Sequence, residues 1–180
     1  SKTRKGHVAS RPLPAMRPWL WLPPSWSHRL APVALRTLAL LKNQEKFEWR
    51  PLEWRGLRFS NRLGLAAGLD KDATQITDWW KMGVGFLEVG TVVPAPQTPN
   101  PGRIMDRQTK ELAVWNKMGF PSAGLEVFAS NLRKLKRPFL APVFVNVGKN
   151  RTTPNEQALM DYQACVFETR DHCDGFVVNI

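Results

Sequence analysis

The sequence is poor in the residues that build disulfide frameworks, metal sites and histidine-based catalytic centres. Its 180 residues include two cysteines and three histidines. Two cysteines are too few for a disulfide framework, and no C-x-x-C or H-x-x-x-H spacing offers a metal site. We interpret Cys165 and Cys173 as reduced thiols and expect no metal. A Ser-His-Asp centre is implausible because two of the histidines, His7 and His28, lie in a basic front end.

Long apolar runs and nucleotide-binding glycine motifs are also missing. The stretch 18–26 is interrupted by Pro23 and Pro24, and the run 37–41 is far shorter than the about 20 residues that a membrane-spanning helix needs. No apolar segment of a secretory signal follows the basic start. The glycines around Gly83 form neither a G-x-G-x-x-G pattern nor a P-loop. We therefore predict neither a transmembrane span nor a Rossmann-type dinucleotide site.

Acidic residues are missing from the first 44 positions. This stretch holds eight of the 26 Lys and Arg residues and none of the 15 Asp and Glu residues, although the net charge of the whole chain is only +11. We predict a disordered basic extension over 1–15 and an amphipathic helical segment over 16–45, with Ser25 or Ser27 as the helix cap. Its apolar residues recur at helical spacing. They are Leu30, Ala34, Leu38 and Leu41.

Three interpretations of this front end remain open from the residues alone. It is a solvated tail with a helix packed on the main domain, a membrane-surface element, or a nucleic-acid-binding arm. Tryptophan, leucine and basic residues together are typical of a membrane surface. They also occur in nucleic-acid sites. Because the rest of the chain has no basic stripe or RNA-binding motif, we expect no nucleic-acid partner.

The remainder of the chain alternates short apolar segments with helical patterns. We predict strands near 63–69, 86–93, 142–147 and 175–180. We predict helices over 72–82, 125–135 and 156–169, and a long loop over 95–122. This order is typical of an α/β protein with a parallel sheet covered by helices. Both the doubly wound sheet and the (β/α)8 barrel fit the pattern.

Polar side chains stand at or just past the carboxyl end of each predicted strand. They are Lys71, Thr91, Asn146 and Asn179. In both candidate architectures this edge of the sheet is where ligands bind. The sequence therefore predicts that these four residues share one site.

Five blocks in this order resemble the quinone-dependent, membrane-associated (class 2) dihydroorotate dehydrogenases. The blocks are Gly-Leu-Ala-Ala-Gly-Leu-Asp-Lys at 64–71, Glu-Val-Gly-Thr-Val at 88–92, Asn-Lys-Met-Gly-Phe at 116–120, Val-Asn-Val-Gly-Lys-Asn at 145–150 and Val-Asn at 178–179. The resemblance covers roughly 25–180. It implies an FMN-binding (β/α)8 TIM barrel with a short helical N-terminal extension, and so favours the barrel over the doubly wound sheet.

The resemblance also implies roles for residues in these blocks. The implied FMN contacts are Ala67, Gly68, Lys71, Thr91, Asn146 and Asn179. The implied substrate contacts are Lys71, Asn116, Lys117, Met118, Gly119, Phe120 and Asn179. These residue types suit the ligand, because an amide both donates and accepts hydrogen bonds and a lysine ammonium matches a carboxylate.

The implied reaction is the oxidation of dihydroorotate to orotate in pyrimidine biosynthesis, with a membrane quinone as the final acceptor. The front end over 16–45 would meet an anionic membrane and admit the quinone. We expect a peripheral protein on the cytoplasmic face of a bacterial inner membrane, with the mitochondrial inner membrane as the alternative. Another FMN barrel of the dihydropyrimidine type, or a non-catalytic half-barrel that binds lipid or nucleic acid, remains an alternative function.

Two departures from the family limit this expectation. Residues 46–180 correspond to the first half of a barrel, which ends after strand four, and the catalytic serine of the family would lie beyond Ile180. We therefore expect the 180 residues alone to be inactive and to bind FMN weakly or not at all. Pro121 stands where the family leads us to expect an asparagine that contacts substrate.

Overall fold

The structure is a computed structural model that describes residues 18–42 and 47–180. The predicted basic extension over 1–15 lies outside the described residues. The described helices are α1 (Pro24–Leu41), α2 (Ile76–Lys81), α3 (Leu125–Arg133) and α4 (Ala158–Thr169). The described strands are β1 (Leu52–Trp54), β2 (Leu57–Phe59), β3 (Gly64–Leu65), β4 (Phe86–Val92), β5 (Met105–Gln108), β6 (Ala113–Asn116), β7 (Val143–Val147) and β8 (Gly175–Val178).

A parallel sheet with the order β3-β4-β7-β8 forms the centre of the fold. Its strands neighbour one another in chain order, and α2, α3 and α4 each connect two neighbours. A doubly wound sheet reverses its strand order at a switch point, whereas a (β/α)8 barrel adds strands in sequence. The observed order is therefore that of half a barrel, and the predicted fold class is confirmed.

The core lies between this sheet and its helices. On β4 the side chains of Leu87 and Val89 are fully buried, and on β7 those of Val143 and Val145 are too. Phe128 of α3 packs against the same cluster. Valine is favoured here because its branched side chain fits a pleated surface. The opposite face of the sheet is left to face the barrel interior.

Helix α2 is shorter than the predicted range of 72–82. The buried carboxylate of Asp70 accepts hydrogen bonds from the backbone N–H groups of Thr74 (2.8 Å) and Gln75 (2.9 Å). Burial raises the pKa of Asp70, against the effect of these hydrogen bonds. These bonds hold the chain in a turn before the helix can begin, because aspartate competes for local backbone donors.

Two antiparallel hairpins form in segments for which no strand was predicted from the sequence. Strands β1 and β2 join through Arg55 and Gly56, which both have positive φ, as a type I′ turn requires. Strands β5 and β6 lie within the predicted loop over 95–122. Arg107 of β5 donates to the carbonyl oxygens of Leu20 (2.9 Å) and Leu22 (2.8 Å). The prediction of a loop was wrong because this hairpin gains partners from the front of the chain.

The serine cap predicted for the front helix was wrong, and the apolar stripe noted from the sequence is not the face that the helix buries. Helix α1 has Pro23 at its N-cap position, and no side chain caps it. The Ser27 hydroxyl instead donates to the Trp19 carbonyl oxygen at 2.6 Å. Leu35 and Ala39 are the residues that α1 buries. The helix rests on α2 and β5 through this face, so the apolar stripe of Leu30, Ala34, Leu38 and Leu41 is exposed.

The outer side of residues 18–42, which we call the front segment, carries an unusual number of exposed apolar side chains. They are Trp19, Trp21, Leu22, Trp26, Leu30, Val33, Leu38, Leu40 and Leu41. Among the described residues, no helix combines the length and the apolar character that crossing a bilayer would demand.

The burial of Phe128 predicts a large effect of its truncation. Phe128→Ala should lower the free energy of unfolding by about 3–5 kcal/mol, because the ring is fully buried between α3 and the sheet. Urea denaturation measures this change. Val127→Ala is the matched control on the same helix; its side chain is 45% exposed, and the change should stay within about 0.5 kcal/mol. Equal losses in the two variants would contradict the orientation of α3.

Candidate functional site

A cavity of about 200 Å³ opens at the carboxyl edge of the parallel sheet. Its lining residues are Ala67, Gly68, Lys71, Thr91, Asn116, Met118, Gly119, Phe120, Pro121 and Asn179. Residues singled out from the sequence in four of the five blocks thus come together, although they lie far apart along the chain. The side chains of Asn146 and Lys117 are not part of this lining.

Three larger cavities differ from it in chemistry or position. The smallest of them, of about 240 Å³, shares only Lys71 with the candidate site and is otherwise lined by residues such as His28, Asp70 and Gln75. One of about 340 Å³ lies at the amino ends of the strands, near Phe47, Gly83 and Ala141, where no predicted site residue lies. Another of about 680 Å³ adjoins the cavity of about 200 Å³ and shares Gly119, Phe120 and Asn179 with it. We place the candidate site in the cavity of about 200 Å³ because the cation, the amides and the hydroxyl converge there.

Lys71 supplies the positive charge of the site. Its Nζ donates to the Gly68 carbonyl oxygen at 2.7 Å and lies 2.9 Å from Nε2 of His28 on α1. Burial lowers the pKa of Lys71. Among the described residues, no carboxylate forms an ion pair with it. The ammonium is therefore available to an anionic ligand.

His28 is a site neighbour that the sequence did not reveal. An ammonium has only donors, so Nε2 of His28 must accept the hydrogen bond and the ring must be neutral. Burial, and then the charge of Lys71, lower the pKa of His28. Because 43 positions separate the two residues, no local motif could have indicated this contact.

A hydrogen-bonded chain crosses the sheet beneath the cavity. Nδ2 of Asn179 donates to Oγ1 of Thr91 (3.2 Å) and to Oδ1 of Asn146 (3.3 Å). Nδ2 of Asn146 donates in turn to Oε1 of Glu88 at 2.6 Å. Asn146 is buried and does not line the cavity itself, but it is hydrogen-bonded to Asn179, which does. Its neighbour Glu88 was not singled out from the sequence.

The segment 116–120 closes one side of the cavity with its backbone and the side chains of Asn116, Met118 and Phe120. Gly119 has a φ of +74°, which favours glycine, and a Cβ atom there would also collide with the side chain of Asn100. The exposed Lys117 places Nζ 5.9 Å from the Trp115 ring centroid instead. Its side chain therefore does not join the site.

Pro121 does line the cavity, at the position where the family resemblance leads us to expect asparagine. Proline has neither a side-chain amide nor a backbone N–H to donate. The part of the chain that the structure describes also contains no group of His, Cys, Asp and Glu residues that could hold a metal ion.

A comparison with protein families matches residues 52–180 to the model named Dihydroorotate dehydrogenase. The chain belongs to the dihydroorotate dehydrogenase family. The family assignment made from the five sequence blocks is therefore confirmed.

Curated relatives agree with this assignment and specify the quinone class. The dihydroorotate dehydrogenase (quinone) of a Nitratiruptor species is 39% identical over 166 residues, covering 87% of this chain and 47% of that protein. The enzyme of the same name from Polaromonas naphthalenivorans is 40% identical over 181 aligned residues, covering 94% of this chain and 51% of that protein. The chain thus spans about half the length of these relatives.

Solved structures of the family share the fold. The chain is similar to DHODH from Eimeria tenella in complex with ferulenol, with a TM-score of 0.75 and 34% identity over 87% of this chain and 43% of that one. A ligand-free structure from the same organism gives a TM-score of 0.70 over 83% of this chain and 45% of that one.

The burial of His28, together with its contact with Lys71, predicts a pH effect on stability. The folded protein disfavours a proton on His28, so the unfolded chain binds that proton more readily. The free energy of unfolding should therefore fall as the pH drops below 6.5, the ordinary pKa of histidine. Denaturation at a series of pH values measures this slope.

His28→Gln should flatten the slope, because a glutamine oxygen can accept from Lys71 without titrating. His172→Gln is the matched control, since His172 does not contact Lys71, and it should keep the slope. A slope that persists in the His28 variant would show that another group causes it.

Proposed function

We propose that the protein to which these 180 residues belong oxidises dihydroorotate to orotate, with FMN as cofactor and a quinone as acceptor. The observation that carries this proposal is the convergence of Lys71, Thr91 and Asn179 with the 116–120 segment in one cavity. The names of the relatives support it. Since the chain spans about half of their length, the activity is proposed for the whole protein.

The residues present suit FMN on physical grounds. Ala67 and Gly68 contribute little side-chain bulk, and a Cβ atom added to Gly68 would meet no atom closer than Cε of Met118 at 3.9 Å. A flat ring could therefore approach this backbone. Thr91 and Asn179 offer the hydroxyl and amide groups that a ring rich in nitrogen and oxygen needs. When bound, FMN supplies the two-electron redox chemistry.

We assign direct FMN contacts to a set of residues that line the cavity, namely Ala67, Gly68, Lys71, Thr91 and Asn179. We propose that Asn146 acts on FMN indirectly, through its hydrogen bond with Asn179. For the substrate, the ammonium of Lys71 would hold the carboxylate, and the amides of Asn116 and Asn179 would bond the pyrimidine edge. Met118, Gly119 and Phe120 would exclude water from one side. Lys117 would contribute its backbone only, because its side chain lies away from the cavity.

The described residues supply only part of a complete pocket. The cavity of about 200 Å³ is smaller than the about 300–1,000 Å³ usual for ligand pockets. No serine is among its lining residues. Strands β3 and β8 each have one neighbour within the described residues. We therefore propose that the 180 residues as a separate polypeptide do not catalyse the reaction and hold FMN weakly or not at all.

We propose that the front segment meets an anionic membrane and admits the quinone. Its exposed tryptophan and leucine side chains suit the membrane interface, and Arg29, Arg36 and Lys42 suit anionic headgroups. His28 brings α1 within hydrogen-bond distance of Lys71, so a quinone held along this helix would arrive beside the cavity. We propose the cytoplasmic face of a bacterial inner membrane as the location, since the relatives named above are bacterial, and keep the mitochondrial inner membrane as the alternative.

A hybrid protein tests the proposed activity. Residues 1–180 would be joined to the second half of the Polaromonas naphthalenivorans relative. We expect this hybrid to carry flavin absorbance and to restore growth without uracil in bacteria that lack dihydroorotate dehydrogenase. Lys71→Ala should reduce dihydroorotate oxidation at least about a hundredfold, which is about 2.7 kcal/mol of transition-state stabilisation.

Two controls accompany the hybrid. Lys110→Ala removes an exposed lysine from the turn between β5 and β6 and should leave the activity unchanged. The 180-residue chain alone should show neither flavin absorbance nor growth. A folded, flavin-containing hybrid that does not oxidise dihydroorotate would refute the proposed reaction, and flavin in the short chain would refute its proposed weak binding.

The membrane proposal predicts a loss of vesicle binding when the front segment is made polar. Trp21 and Trp26 are 69% and 57% exposed. Replacing both by serine should weaken binding to anionic phospholipid vesicles at least about tenfold, or about 1.4 kcal/mol. Phe167→Ser is the matched control, because this residue of α4 is 62% exposed but lies outside the front segment. Co-sedimentation measures binding, and equal losses in both variants would contradict the proposal.

A further inference from the structure

Glu88 has no role in the function proposed above, yet it stands under the candidate site. It lies on β4, where its neighbours Leu87 and Val89 point to the helix-covered core. Glu88 therefore points to the opposite face, which is also the face of Asn146, because Gly90 is the register partner of Asn146. Within the described residues, no cation lies close enough to form an ion pair with Glu88.

The carboxylate fixes which way the Asn146 amide faces. An ionised carboxylate has acceptors and no donor. Nδ2 of Asn146 must therefore be the atom that faces Oε1 of Glu88, at 2.6 Å. The Oδ1 atom of Asn146 is then left on the side of Asn179, and it can only accept.

The same reasoning continues to Asn179 and Thr91. Nδ2 of Asn179 must face Oδ1 of Asn146 (3.3 Å), and its second proton goes to Oγ1 of Thr91 (3.2 Å). Both protons of this amide are thereby used. Asn179 is left with Oδ1 as its acceptor, to which no described residue donates, and Thr91 is left with its hydroxyl proton as a donor.

We infer that Glu88 is a positioning residue that sets the hydrogen-bond polarity of the cavity through Asn146, Asn179 and Thr91. The cavity would then present an acceptor at Asn179 and donors at Thr91 and Lys71. It selects a heterocycle that combines an N–H donor with a carbonyl oxygen and an anionic group. This inference rests on the proposed function for the identity of the ligand. The hydrogen-bonded relay that runs from Glu88 through Asn146 and Asn179 to Thr91 does not depend on that function.

Glu88→Gln tests the inference without changing the size of the side chain. Glutamine can donate or accept, so both orientations of the Asn146 and Asn179 amides become possible. In the ¹⁵N-labelled 180-residue chain and in the hybrid, we expect one set of side-chain amide NMR signals for each asparagine. In Glu88→Gln we expect two sets. Glu126→Gln is the matched control; it removes the same charge from an exposed position on α3 and should keep one set.

Orotate binding to the hybrid, measured by calorimetry, gives a second readout. We expect the dissociation constant to rise about tenfold in Glu88→Gln, equivalent to about 1.4 kcal/mol, and to stay unchanged in Glu126→Gln. A single, unshifted set of amide signals in Glu88→Gln would overturn the inference, even with a working hybrid. Loss of the native spectrum in Glu88→Gln would also overturn it, because Glu88 would then support the fold rather than the polarity.

The two proposals fail in different ways. If the unmodified hybrid binds neither FMN nor orotate, the proposed function fails, while the number of amide signals still decides the relay. If orotate binds equally well to both forms and the signals double only in Glu88→Gln, the relay orders the amides but does not select the ligand, and the specificity claim fails.

Discussion

The parallel pairing of β4 with β7 is the interaction on which the rest of the structure depends. It buries valine side chains from both strands between the sheet and its helices. A Cβ atom at Gly90 would lie 2.5 Å from the carbonyl oxygen of Asn146, so only glycine permits this approach. The register shifts between Gly90 and Val92. The pairing thus places Glu88 and Thr91 of one strand beside Asn146 of the other.

The two faces of the β4–β7 pair have different roles: the apolar face stabilises the fold, and the polar face carries the candidate site. The helix-covered face stabilises the fold through burial of apolar area. Burying unpaired amide groups on the inner face would cost free energy, because each such group would lose its hydrogen bonds to water without gaining others. The chain of hydrogen bonds from Glu88 to Thr91 satisfies those groups and leaves selected atoms free for a ligand. The hydrogen bonds that satisfy the buried polar groups of the inner face therefore also determine which donors and acceptors the site offers to a ligand.

The front segment is tied to the same site by contacts that cross long stretches of chain. Arg107 holds the segment through two backbone carbonyl oxygens, and Gln75 donates to the carbonyl oxygen of Pro32. Its burial of Leu35 and Ala39 turns the remaining apolar side chains outward. One helix thereby contacts Lys71 on its inner side and presents an apolar surface on its outer side.

Sequence patterns predicted the repeating elements and the rim of the sheet. Apolar runs, helical spacing and strand-end polar residues reflect local chemistry, so residue type and position were enough to select Lys71, Thr91 and Asn179. The β5–β6 hairpin, the buried face of α1 and the direction of Lys117 could not be predicted, because each depends on partners distant in the chain. The serine caps failed for a related reason, since Ser27 found a partner in Trp19.

The sequence alone determined the family, the order of the strands and the residues at their carboxyl ends. The tertiary structure decided which atoms of those residues are free. His28 meets Lys71 across 43 positions, and Asn146 meets Glu88 across 58. Such contacts depend on how helices and strands pack, whereas residue type and spacing record only what each segment does with its neighbours. The polarity of the candidate site is therefore a property of the fold.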